Sequence, residues 1–107
     1  MDTETYVVDT PGKPTIEKDP NAVLDYPFDW SEYLTPLGDT IISATFILET
    51  PLTADEARQE LNPEGTIAVV WVEAGGVAGK TYRVTCRIVT TDGRTDDRSI
   101  WLKMKEK

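Results

Sequence analysis

The 107-residue sequence contains no histidine, only one cysteine and no apolar run of membrane-spanning length. Each absence removes a class of function. Without histidine the usual general base, proton shuttle and zinc ligand are missing, and a Cys-His nucleophile pair cannot be built. A lone Cys86 excludes a disulfide within the chain and with it the bridged antibody-type domain. Cys86 falls on an apolar strand face, where a thiol acts as a small core hydrophobe. Met1–Val8 has neither the basic start nor the apolar stretch of a secretory leader, and no segment is expected to cross or bind a membrane. No enzymatic activity is expected. The carboxylates lie in surface-type positions without the pairing that glycoside hydrolysis or a metal clamp needs. Asp92, Asp96 and Asp97 do not fit a calcium loop and have Arg94 and Arg98 beside them. No metal or cofactor is expected.

Basic residues are also scarce, except near the end of the chain. Residues 1–39 carry nine acidic and two basic side chains, residues 40–79 six and one, and residues 80–107 four and eight, for a net charge of -8. Net acidity argues against nucleic acid as a partner, because phosphate contacts need lysine and arginine in numbers. The asymmetry suits contacts between copies, basic surface against acidic. A homo-oligomer is therefore expected, although a merely well-solvated surface explains the charge equally well.

A phosphate-loop pattern is present in a context that cannot use it. Ala74-Gly-Gly-Val-Ala-Gly-Lys-Thr81 fits a small residue, four free positions and Gly-Lys-Thr. The preceding Thr66–Glu73 reads as a strand, as the motif requires. The following Thr81–Thr91 alternates and is β-branched, so it reads as a second strand where a phosphate site needs a helix N-terminus. Gly75, Gly76 and Gly79 then read as loop residues.

Tyr82, Val84, Cys86 and Ile88 share one face of that strand, with Arg83, Thr85, Arg87 and Thr91 on the other. Thr95–Lys105 places Ile100, Leu102 and Met104 on one face and Asp97, Ser99, Trp101, Lys103 and Lys105 on the other. A two-residue Asp92-Gly93 turn would set Arg87 against Arg98 and mix the faces. A three-residue loop with Gly93 as a left-handed bulge instead pairs Tyr82 with Leu102, Val84 with Ile100, Thr85 with Ser99 and Arg87 with Asp97. Trp101 then lies opposite Arg83 on the outer face, covered by a neighbouring strand or the N-terminal arm, or free for a partner.

Upstream, Leu24, Tyr26, Phe28 and Trp30 alternate with Val23, Asp25, Pro27 and Asp29, which makes one face almost purely aromatic, and Pro27 makes this an edge or broken strand. Thr40–Glu49 is a further strand with both faces partly covered. Between Thr50 and Gly65 alternation stops. Thr53 with Glu56 forms a capping-box pattern, and Ala57 with Leu61 a thin stripe, allowing one or two helical turns before Pro63. The fold class is all-β: a small immunoglobulin-like or fibronectin-like β-sandwich over residues 22–107, preceded by an extended N-terminal arm over residues 1–21 marked by Pro11, Gly12, Pro14 and Pro20. Tyr6, Val7, Val8 and Ile16 are anchors the arm could set on its own domain or a neighbour, as a strand added to a sheet edge.

Lys18-Asp-Pro-Asn-Ala-Val-Leu-Asp-Tyr-Pro-Phe-Asp-Trp-Ser-Glu-Tyr-Leu34, Gly38-Asp-Thr-Ile41, Ala78-Gly-Lys-Thr-Tyr-Arg-Val-Thr-Cys-Arg-Ile88 and Thr91-Asp-Gly-Arg-Thr-Asp-Asp-Arg-Ser99 together resemble a family of small tailed-bacteriophage proteins described as fiber-tail adaptors or virion structural proteins. The resemblance covers most of residues 18–104, and the chain departs from it in its acidic segment from Pro51 to Pro63. It implies a non-enzymatic structural protein assembling by protein-protein contacts at the neck, tail or fiber attachment region. Its partners would be other virion proteins and its place the virion, reached through the host cytoplasm. Candidate contact residues are Tyr6, Val8, Arg83, Arg94, Arg98 and Trp101. The alternative is an adhesion or carbohydrate-binding module, argued from the rings of Tyr26, Phe28, Trp30, Trp71 and Trp101, since an exposed ring row can stack on sugars.

Overall fold

A computed structural model describes residues 7–10 and 13–106. The chain forms β1 (Val7–Thr10), β2 (Lys13–Lys18), β3 (Leu24–Asp29), a single helical turn α1 (Ser31–Leu34), β4 (Ile41–Leu48), β5 (Glu60–Leu61), β6 (Ile67–Val72), β7 (Thr81–Thr90) and β8 (Thr95–Met104). Two sheets pack face to face, one of five strands in the order β1-β2-β8-β7-β4 and one of three in the order β3-β6-β5. The fold is an all-β sandwich. Its core is the inward residues of the two sheets: Val84, Cys86 and Ile88 of β7 with Ile100, Leu102 and Met104 of β8, against Tyr26 and Phe28 of β3 with Ala68, Val70 and Val72 of β6. Trp30 and Leu34, on and beside α1, are also fully buried.

The β7–β8 hairpin has the register that face-matching requires. Tyr82 lies opposite Leu102, Val84 opposite Ile100, Thr85 opposite Ser99 and Arg87 opposite Asp97. The Thr85 and Ser99 hydroxyls bond at 2.8 Å, and Arg87 grips Asp97 with two nitrogens at 2.8 and 2.9 Å. Thr91, Asp92 and Gly93 form the loop, Gly93 taking φ 91° and donating to the Thr90 carbonyl at 2.9 Å. β3 pairs only with β6, so Pro27 sits on an edge where its missing N–H costs no ladder bond.

Three segments carry detail beyond the sequence reading. The described part of the supposed arm consists of β1 and β2, and β2 runs parallel to β8 with Ile16 beside Leu102 and Lys18 beside Met104. Ile16 packs against the core of its own domain. These strands are too short to show a clear period, so their place is set by the sheet edge they complete. In β4 a bulge between Ile41 and Ser43 shifts the phase. Ile41 is buried while Ile42 is thrown outward, 61% exposed. The segment after Pro51 holds one 3-10 turn, Glu56–Arg58, capped by Asp55 and not by Thr53. The Thr53 hydroxyl instead donates to Glu73 at 2.8 Å, which dissolves the capping box.

The phosphate-loop match is a connection between β6 and β7, and four of its amides are already in use. Gly75 N donates to the Pro20 carbonyl at 2.7 Å, Val77 N to the Tyr82 hydroxyl at 3.1 Å, Gly79 N to the Met104 carbonyl at 2.8 Å and Lys80 N to the Val77 carbonyl at 3.0 Å. Gly76 takes φ 97°, where a side chain is strained, and a Cβ there would crowd Met104 Cγ at 3.0 Å and the Tyr82 ring at 3.1 Å. Lys80 itself is exposed. Lys80→Ala is therefore expected to change stability by less than about 0.5 kcal/mol, as ordinary surface substitutions do, and ATP to leave the melting temperature unmoved. A nucleotide-dependent rise in Tm abolished by the substitution would contradict this, and differential scanning fluorimetry reads both.

Candidate docking surface

The six candidate contact residues do not form one surface. Tyr6 lies outside the described residues. Val8 stands in β1, opposite Pro14 of β2. Arg83 and Trp101 face each other across the β7–β8 pair on the outer side of the five-stranded sheet, and Thr15 of β2 flanks Trp101 on its other side, leaving the indole half-buried.

Arg94 is committed at the hairpin tip. Its guanidinium donates to the Asp39 carboxylate at 2.7 Å and to Asp92 at 3.3 Å, and the Asp39 side chain is wholly buried. Gly38 closes the turn after α1 in the left-handed region and delivers Asp39 to this position. Burial alone would raise the pKa of Asp39. The Thr90 hydroxyl, Arg94 and the backbone N–H groups of Asp92 and Thr40 outweigh it and hold the carboxyl down to about 2. A depressed carboxyl contributes stability that is fully present above its unfolded value, 3.8, and is lost as pH falls through about 2. The wild type is thus expected to lose thermal stability over that window more steeply than Asp39→Asn, the two proteins converging at the acid end. Asp97, held low by Arg87, titrates in both. Parallel Tm-versus-pH curves from circular dichroism would refute the assignment.

Arg98 is half-buried and engaged inside its own domain. It stands opposite Cys86 on the inner side of the hairpin, its guanidinium carbon 4.1 Å from the centre of the Trp30 ring and Nη1 donating to the Asp29 carbonyl at 2.7 Å. It ties β8 of one sheet to the end of β3 in the other. The Trp30 indole N–H has no acceptor in hydrogen-bonding geometry and is turned toward the Cys86 thiol, which burial pushes up to about 12 and so keeps protonated. Arg58 likewise stacks over Trp71 at 4.0 Å and is also paired to Asp55 at 2.9 Å.

The feature that sequence reasoning missed is the open side of the sandwich between β4 and β5. β4 pairs only with β7. Glu49 N bonds to the Arg83 carbonyl at 3.0 Å, which fixes the alternation: Thr45 and Ile47 bond inward to β7, while the N–H and C=O groups of Ala44, Phe46 and Leu48 point away from the sheet. Beside this edge lies a groove of about 280 Å³ lined by Ala44, Phe46, Gln59, Glu60 and Leu61. Ile47 and Leu61 are 44% and 39% exposed. The signal was available in Ile41-Ile-Ser-Ala-Thr-Phe-Ile-Leu48, eight residues without a charge or a proline, two of the devices that blunt a free edge. In the three-stranded sheet both edges are protected: β3 carries Pro27, Asp25 and Asp29, and β5 is two residues long. The far edge of the five-stranded sheet is the four-residue β1.

The comparison with curated proteins gives no match. A family model described as podophage GP4 fiber-tail adaptor protein gp77 matches residues 18–103, from the last residue of β2 to the next-to-last residue of β8. That family is one of structural adaptors of the phage tail, and its description implies a protein of the virion. With four-fifths of its length under the match, this chain belongs to the podophage fiber-tail adaptor family.

Proposed function

We propose that the chain is a non-enzymatic structural protein that joins other components of a podophage particle at the neck, tail or fiber attachment region. The observation that carries this reading is its family membership over residues 18–103. The open β4 edge supplies a physical means of joining. The chain works as a homo-oligomer in the particle and is taken up from the host cytoplasm during assembly. After the internal pairs are formed, Lys80, Arg83 and Lys103 remain without an ion pair among the described residues, enough to meet acidic surface on a neighbouring copy. Nucleic acid and membrane have no part in this reading. The net charge of -8 opposes phosphate, and no helix among the described residues is long and apolar enough to cross a bilayer.

Sugar binding is disfavoured by where the rings sit. Tyr26, Phe28 and Trp30 are core residues, Trp71 lies under Arg58 and Trp101 is flanked by β2, so the five make no exposed row. Electron microscopy of particles carrying a labelled copy tests the proposal. Repeated density at a defined ring or vertex is the expected result. Absence from mature particles would overturn the structural role, and single isolated copies would overturn the homo-oligomer.

A further inference from the structure

We infer that the β4 edge receives an extended segment of a different virion protein, one with apolar residues at alternate positions and lysine or arginine on its flanks. The inference rests on the structural role proposed above and names the chemistry of the partner.

Three observations converge on β4. The backbone groups of Ala44, Phe46 and Leu48 are presented outward in an unbroken row, which is what a strand needs in order to add to a sheet. The side chains of the same residues are only partly buried and lean toward the gap between the sheets, where Phe46 meets Phe28 at 5.7 Å between ring centres. An added strand would therefore set every second side chain into the groove that Leu61 closes from the other side. On the outer side of the sheet its remaining side chains would lie beside Ile47.

Charge selects the occupant. From the end of β4 to the start of β6 the chain carries Glu49, Asp55, Glu56, Glu60 and Glu64, with Arg58 the only cation and already engaged by Asp55 and Trp71. Glu60 lines the groove itself. The approach to the edge is acidic, so a basic segment is drawn in and an acidic one repelled. The N-terminal segment of a second copy is a poor donor on the same ground. Its first twelve residues hold Asp2, Glu4 and Asp9 and no basic residue, and β1 is already paired with β2.

Hydrogen exchange on the wild-type chain, free and within purified particles, tests this without any substitution. In the particle the amides of Ala44, Phe46 and Leu48 are expected to slow on the order of tenfold or more, while those of Thr45 and Ile47, already bonded to β7, change little. A photo-reactive residue at Thr45, exposed on the outer face, should cross-link in the particle to a Lys- or Arg-bearing segment of another virion protein. A chain that is present in the particle with unchanged exchange at these three amides would overturn the inference and leave the structural role intact. Cross-linking to a second copy, or to an acidic segment, would overturn the named occupant. Absence of the chain from particles would instead remove the reading on which the inference depends.

Discussion

Arg98→Glu is expected to destabilise the domain by about 3–5 kcal/mol. The substitution removes a guanidinium stacked on Trp30, an interaction of roughly 1–2 kcal/mol at a desolvated ring. It also removes a charge-assisted hydrogen bond to the Asp29 carbonyl, about 1.5–3 kcal/mol. It then places a carboxylate against the negative face of the indole and beside a carbonyl oxygen that has lost its donor. Arg83→Glu is the matched control. Arg83 lies on the outer face without an ion pair among the described residues, and the same charge reversal there should cost less than about 0.5 kcal/mol. Urea unfolding followed by tryptophan fluorescence measures both. Equal midpoints for the two variants would show that Arg98 does not join the sheets. The charge patterning of the sequence had grouped these two arginines as one basic surface, and only their places in the fold separate them.

Val84→Asp is expected to abolish cooperative folding. Val84 is completely buried, with Ile100 on one side and Leu48 on the other. A carboxylate there has no partner, and its burial costs several kcal/mol even after it takes up a proton. A domain of this size has a total stability on the order of 5–15 kcal/mol. Val77→Asp, on the exposed β6–β7 loop, should leave the protein folded with a shift under about 0.5 kcal/mol. Circular dichroism and size-exclusion chromatography distinguish the outcomes; a Val84→Asp protein that still melts sharply would place the core elsewhere.

What could be read from the sequence follows the distance over which each feature is determined. The hairpin was legible to single-residue register, because two alternating strands and a glycine loop constrain one another within a couple of dozen positions. Pro27 marked an edge strand for a reason internal to the residue. The bulge in β4 was hidden because Ile41 and Ile42 are both apolar, and hydropathy cannot say which of two adjacent isoleucines turns inward. Asp39 and Arg98 were beyond reach for another reason. Their partners, Arg94 and Asp29, are 55 and 69 positions away, and only the packed sheets bring them together. Thr53 misled because a capping-box pattern is local, whereas Glu73, which takes its hydroxyl, is 20 residues off. The open β4 edge was legible in principle as an uncharged run, but its meaning depends on which strands pair.

The parallel seam between β2 and β8 sets an order of events. Thr15 must find Trp101, and Lys18 must find Met104, across nearly the whole described chain, so this pairing carries a high loop-closure cost and cannot begin before β8 exists as a template. The β7–β8 hairpin closes through three loop residues and has no such delay. On a nascent chain, then, β2 leaves the ribosome well before β8 yet is among the last strands to be secured. In pulse-labelled exchange during refolding, amides of Ile16 and Lys18, which face β8, should become protected after those of Val84 and Ile100, and the reverse order would show that β2 nucleates the sheet.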